Sequence, residues 1–337
     1  MIFGDKDQMN ETDKILHLME ACRLCPRECD VNRLKGKKGF CGVGAKVMVA
    51  RAALHMWEEP CISGKEGSGA VFFSGCSLGC GFCQNRRISR GQSGKQITIE
   101  HLVDIFLNLQ EQKANNINLV TAGQFLPQVA EALKRAKARG LHIPVVYNSS
   151  GYEKTEMLNM LDGLVDIYLP DFKYLSAELA GVYSHAEDYP QVAKSALQEM
   201  VRQVGSAQFE IVSGENSGMV TDELLTDVDY GDSELERMLR GVVVRHLVLP
   251  GHVEESKNVI RYLYEMYGER IYISIMNQYT PMPEIEEHYP ELGRKITPQE
   301  YDEVVDYAIE IGVENGFIQD GETAKDSFIP EFDTSGV

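Results

Sequence analysis

Six short runs dense in β-branched and aromatic residues recur along this 337-residue chain, with stretches of helical periodicity between them. The runs are 70–74, 118–121, 144–150, 165–172, 242–249 and 271–279; the helical stretches are 98–113, 127–139, 154–161, 191–204, 254–267 and 298–311. A helix of this length carries the chain back across a sheet, so the next strand starts in the same direction and pairs in parallel. The alternation therefore predicts an α/β fold, either a partial (βα)6 barrel or an open doubly wound sheet. The acidic, turn-rich stretch 205–240 interrupts the pattern and reads as an insertion or mobile loop. The expected organisation is a Cys-rich leader over 1–62, a barrel over 63–290 carrying that insertion, and a C-terminal helix and strap over 291–337.

Seven of the eight cysteines fall in two tight groups, Cys22, Cys25, Cys29 and Cys41, then Cys76, Cys80 and Cys83. No run approaches the roughly 18 apolar residues needed to cross a bilayer. The first residues lack a basic region followed by an apolar one, so no secretory signal is read and a cytoplasmic location is expected. In a reducing compartment, clustered cysteines bind metal or do chemistry more often than they form disulfides. Cys61, alone between Pro60 and Ile62, reads as a small buried hydrophobe.

The second group sits in Phe72-Phe-Ser-Gly-Cys76-Ser-Leu-Gly-Cys80-Gly-Phe-Cys83-Gln-Asn85, directly after the first strand. Iron–sulfur cubanes usually have four thiolates, one per iron. Three thiolates leave one iron open, as catalytic zinc sites keep an open position that structural ones lack. An open iron can chelate the amine and carboxylate of S-adenosylmethionine (SAM), and an electron passed to the sulfonium would release a 5′-deoxyadenosyl radical. The competing reading is a zinc knuckle completed by a remote Cys or His. Position favours catalysis, because loops at the C-terminal ends of strands form the active face of βα barrels.

The spacing C-x3-C-x2-C after a first barrel strand, with Phe82 just before the last cysteine, resembles the signature of the radical SAM superfamily. The wider wording is similar to the branch related to pyruvate formate-lyase activating enzymes, over a region from about Cys22 to Gln278. The matching segments are Ser63-Gly, the triplet, Tyr147-Asn-Ser-Ser-Gly-Tyr152, Tyr168-Leu-Pro-Asp-Phe-Lys173 and Arg245-His-Leu-Val-Leu-Pro-Gly251. The resemblance implies a partial (βα)6 barrel, a [4Fe–4S] cluster and SAM as cofactors, and SAM contacts from Asp171 and Lys173. It also implies a glycine-glycine-glutamate segment after the second strand, but here that place reads Thr121-Ala-Gly-Gln124, so only Gly123 matches.

Strand alternation adds to this set, since residues i and i+2 share a face. Asp171 and Lys173 align at the end of the fourth strand. Asn148 and Ser150 do so on the third, and Tyr272, Ser274, Met276 and Gln278 on the last. For Arg245 and His246 one faces the lumen, and the sequence leaves open which. His252 reads as a loop histidine. The leader's Cys22-x2-Cys25-x3-Cys29-x11-Cys41 supplies enough thiolates for a tetrahedral zinc or an auxiliary iron–sulfur cluster.

A formal charge of −18 argues against a nucleic-acid partner, despite short basic clusters at 35–38 and 134–139, and no P-loop is present. Two enzymatic functions fit: activation of a glycyl-radical enzyme, or modification of a small molecule or another polypeptide. Either needs an electron donor such as flavodoxin or ferredoxin. A non-enzymatic iron–sulfur carrier or sensor is the third reading.

Overall fold

The structure, a computed structural model, describes residues 17–212, 235–319 and 330–337. Its centre is a mixed sheet in which β2 (Ser68–Phe73), β4 (Ile117–Val120), β5 (Val145–Ser149), β6 (Ile167–Pro170), β8 (Leu235–Leu247) and β9 (Tyr272–Met276) lie side by side in parallel. These are the six strands expected from the apolar runs. Among the crossover helices are α1 (Ile99–Glu111), α2 (Leu126–Ala138), α4 (Tyr189–Val204) and α5 (Val253–Tyr267), and α6 (Pro298–Glu310) follows β9. The fold is an α/β parallel sheet of the kind that curls into a partial barrel.

Three strands lie beyond the repeating units. β1 (Val47–His55) runs antiparallel to β2, and β3 (Lys95–Ile97) pairs with its start. β10 (Gly316–Ile318) extends the far edge in parallel with β9. The sequence hides β1 because Val-Met-Val-Ala-Arg-Ala-Ala-Leu-His lacks clean alternation and has no helix after it. Residues 330–337 strap across β1, with Ala52 N–H donating to Ser335 O and Thr334 N–H to Ala50 O.

The stretch read as an insertion is described in part. β7 (Gln208–Val212) and the first half of β8 form an antiparallel ribbon, and residues 213–234 between them lie outside the described residues. The helix α3 (Ala177–Ser184), capped by Ser176, was not anticipated; its short polar-interrupted sequence lacks an extended apolar stripe.

Strand pleating splits the core. Val145, Tyr147, Tyr168, Val242, Val244, Ile271, Ile273 and Ile275 pack against the helices. Val146, Ile167, Leu169 and Val243 point into the lumen, where they meet Cys61 and Ile62. Those two belong to a single helical turn, Pro60–Ser63, that plugs the floor of the lumen, and Cys61 is indeed buried. Among the described residues no helix is long and apolar enough to cross a membrane.

Candidate active site

The loop leaving β2 turns back immediately. Gly75 and Gly79 adopt φ of +89° and +69°, a region that penalises a Cβ. A Cβ on Gly79 would meet the Phe40 ring at 2.9 Å, and one on Gly75 would meet Cys41 O at 2.7 Å. The loop is fastened from several elements. Gln124 Nε2 donates to Ser74 O, Gly75 O and Thr121 O. Gly81 N–H donates to Tyr183 O at 2.8 Å, and Gln84 Nε2 to Gln278 O at 2.6 Å. Phe82 packs edge-on against Tyr183 and Tyr279.

Cys76, Cys80 and Cys83 line one cavity of about 230 Å³ at the C-terminal ends of the parallel strands. Phe82, Asn148, Ser150, Asp171, Lys173 and Gln278 line it too, so six of the seven sequence-predicted cofactor residues meet there. Gly123 does not. It begins a turn of 3-10 helix (Gly123–Phe125) on the leader side, and a Cβ there would meet the carboxylate of Glu153. Its neighbour Gln124 spends its amide on the loop carbonyls. Thr121, which does line the cavity, holds a φ of +57°, a strained setting for a β-branched residue.

Asp171 and Lys173 pair at 2.7 Å, and Arg245 donates to Asp171, to Asn148 Oδ1 at 2.8 Å and to Glu58 at 3.2 Å. Burial acts to raise the Asp171 carboxyl, but Lys173 and Arg245 outweigh it and hold it below its ordinary value. Burial likewise works against the Lys173 charge, and Asp171 reverses that, leaving the ammonium more firmly protonated than usual. The pair is therefore charged on the cavity wall.

Arg245 thus faces the lumen. His246 points the other way, between Phe172 O at 2.8 Å and Ser256 Oγ at 2.9 Å, and burial pushes it down to about 4. It is a neutral strut between β8 and α5. His252 bonds Tyr183 OH at 2.8 Å. On β9, Ser274 Oγ donates to Glu59, while Met276 and Gln278 reach the cavity.

His55, Trp57, Glu58 and Glu59 were missed by sequence reasoning. His55 ends β1 and the other three follow it, where the chain between β1 and the Pro60–Ser63 turn dips into the lumen. The available signal was two adjacent acids beside the chain's one tryptophan and just before Pro60, in a stretch otherwise read as leader. Burial pushes Glu59 up to about 7.

The donor set suits a cubane. Burial pushes the Cys76 thiol up to about 12 and also raises Cys83, with the neighbouring cysteines adding to both. Bare thiolates there are costly without a cation to meet them. A cubane takes each thiolate on a different iron, which three cysteines of one loop can supply. The leader cysteines share a second neighbourhood. Burial raises Cys25 to about 12, with Cys41, Glu153 and Cys29 contributing, and it raises Cys41, beside Cys22 and Cys29.

Residues 70–212 match the family model of the radical SAM superfamily. Over those residues the chain is similar to radical SAM domains. Members of this superfamily are enzymes that use a [4Fe–4S] cluster and SAM. The chain is 26% identical over 299 residues to an uncharacterized protein of Methanocaldococcus jannaschii, covering 87% of this chain and 75% of that one. Among solved structures it is similar to Streptococcus suis SuiB bound to precursor peptide SuiA (12% identity, 76% of this chain, 49% of SuiB, TM-score 0.46). It is also similar to the FeFe-hydrogenase maturase HydG of Carboxydothermus hydrogenoformans (14% identity, 77% of this chain, 59% of HydG, TM-score 0.40). The chain spans about half the length of SuiB.

Proposed function

We propose that the protein cleaves SAM reductively at a [4Fe–4S] cluster held by Cys76, Cys80 and Cys83, and passes the resulting radical to a glycine of a partner enzyme. The observation that carries the first half is the meeting of three thiols and a charged Asp–Lys pair in one cavity at the strand ends. When bound, the cluster supplies one electron to the sulfonium and so yields a 5′-deoxyadenosyl radical. Lys173 offers an ammonium to the carboxylate of SAM. Asp171, kept ionised by Lys173 and Arg245, accepts from its hydroxyl or ammonium groups. Phe82 offers an aromatic face, and Asn148, Ser150 and Gln278 add amide and hydroxyl groups along the wall.

Glycyl-radical activation is supported by the segments that resemble activating enzymes, since these supply Asn148, Ser150, Asp171, Lys173 and Arg245 to the cavity. A second reading, modification of a small molecule or another polypeptide, is favoured by the fixed polar groups of Glu58, Asn148 and Arg245 inside it. The leader cysteines would hold a second iron–sulfur cluster or a zinc.

The test is anaerobic reconstitution with iron, sulfide and SAM, followed by dithionite. 5′-Deoxyadenosine is expected from the parent and at least a hundredfold less from Cys76→Ala. No product from the parent, with a Cys76→Ala variant that behaves identically, overturns the cleavage reading. A radical signal on a glycyl-radical partner mixed with the reduced protein separates activation from the second reading.

A further inference from the structure

We propose that the outer face of the triplet loop is the docking surface for an acidic one-electron carrier protein of the flavodoxin or ferredoxin class. The inference rests on the proposed function, which needs an electron delivered to the cluster. It starts from an uneven distribution of charge. The chain holds 51 acidic against 33 basic side chains, yet residues 31–57 and 67–99 contain no Asp or Glu at all.

The fold brings parts of these two stretches together. A Cβ on Gly91 would lie 2.7 Å from Gly42 O, so the backbones touch, and the guanidinium of Arg90 stands 5.5 Å from the centre of the Phe40 ring. The turn carrying Lys35, Lys37 and Lys38 runs straight into Phe40, and Arg87 lies on the short helix Arg86–Ser89 just before Arg90. Lys35, Lys37, Lys38 and Arg87 are exposed, and Leu34 beside them is 39% exposed, an apolar contact within a basic rim.

Beneath this surface lie Cys29 of the leader, which accepts from Phe40 N–H at 3.3 Å, and the triplet loop. Arg90 donates to Gly79 O at 3.0 Å, and Arg27, 4.0 Å from the Phe40 ring centre, donates to Ser77 O and Leu78 O at 3.0 Å each. These carbonyls belong to the residues between Cys76 and Cys80, so the two arginines beside Phe40 touch the loop that carries the cluster ligands. The cavity, with Asp171, Glu58 and Lys173, is lined by the triplet cysteines but by none of Lys35, Lys37, Lys38, Phe40, Arg87 and Arg90. A donor seated on the outer face leaves that cavity to SAM and substrate. One electron leaves the donor and one enters the cluster; no atom is transferred.

Charge selects the partner. A carrier with an acidic surface is repelled by most of a −18 chain and attracted to this face, which orients encounter and speeds it by about 10- to 1000-fold at low salt. The test compares the reconstituted parent with a Lys35→Glu/Lys37→Glu/Lys38→Glu variant and, as a milder second variant, Arg87→Glu. Association and cluster reduction are followed with a reduced acidic flavodoxin at low and high salt, and dithionite serves as the small reductant. The expected result is at least a tenfold slower reduction by flavodoxin at low salt for the triple variant and a smaller loss for Arg87→Glu. The parent's rate should fall with salt, the triple variant's should not, and dithionite-driven 5′-deoxyadenosine should be unchanged in both.

Flavodoxin rates and salt dependence equal to the parent's in both variants overturn the docking surface. So does a parent that binds a single-stranded RNA oligonucleotide more tightly than flavodoxin and loses only that binding on charge reversal. Failure of the parent to cleave SAM with dithionite strikes the proposed function instead, because flavodoxin association is read independently of cleavage.

Discussion

Glu59 should make the protein less stable as pH rises through neutrality. Its side chain is carried into the lumen by the Pro60–Ser63 plug and is 7% exposed, with Ser274 Oγ 2.8 Å from Oε1. Burial dominates its titration and raises it from 4.5 to about 7; Arg245 and Ser274 pull the other way without prevailing. The folded state therefore binds the proton more tightly than the unfolded chain between those values. The stabilisation is fully present below the unfolded pKa and is lost as pH climbs through the folded one. At about 1.4 kcal/mol per pKa unit, the loss between pH 4.5 and 8 is on the order of 3 kcal/mol. Glu59→Gln keeps the shape, removes the titration and leaves a group that can still pair with Ser274. Urea unfolding of parent and variant at matched pH cancels the contributions of the other carboxylates. The difference should move in favour of the variant by about 2.5 kcal/mol from pH 5 to pH 8. Two stability curves with the same pH slope would refute the account of Glu59 as a buried, mostly neutral acid in the lumen floor.

Two further outcomes follow from the contacts around the leader. Arg27→Gln removes the donors to Ser77 O, Leu78 O, Ser184 O and His185 O, at a cost of about 2–4 kcal/mol. Hydrogen exchange of the amides at 77–81 should accelerate and iron should be held less tightly after reconstitution, whereas unchanged exchange would mean the arginine is dispensable to the loop. Cys22→Ala should lower the combined iron and zinc content per chain while the triplet's iron remains. Unchanged metal content would show that the leader cysteines bind none.

The alternation of apolar runs and helical periods gave all six parallel strands, because each run is long enough to bury a strand on both faces and each helix carries its own amphipathic stripe. Pleating by twos placed Asp171 with Lys173, and Asn148 with Ser150, on the lumen side for the same reason. What the chain concealed was non-local. β1 is defined by its partner rather than by its own pattern, and its connection to the plug turns Glu58 and Glu59 inward only because Arg245 and Ser274 wait there, more than 180 residues away. Arg245 and His246 are adjacent and both polar; only the register of β8 against β6 and β9 decides which enters the lumen. Gly123 illustrates the opposite failure. It matches a motif by position, yet the neighbouring Gln124 turns toward the triplet loop and the glycine toward Glu153.

The leader belongs to the site rather than beside it. The residues between Cys76 and Cys80 have no regular secondary structure, so their carbonyls need partners from elsewhere. Ser77 and Leu78 find theirs in Arg27 and Gly79 finds its own in Arg90, while the Phe40 ring lies close to both guanidinium groups. On the other flank, buried Arg33 donates to Gln124 O, and Gln124 in turn holds Ser74 O and Gly75 O. The shape of the triplet loop is therefore set by two chains of contacts that both begin among the leader cysteines. Anything that fixes Cys22, Cys25, Cys29 and Cys41 in place also fixes the loop carrying Cys76, Cys80 and Cys83. Loss of the leader's fold would loosen the triplet without touching a residue of the barrel.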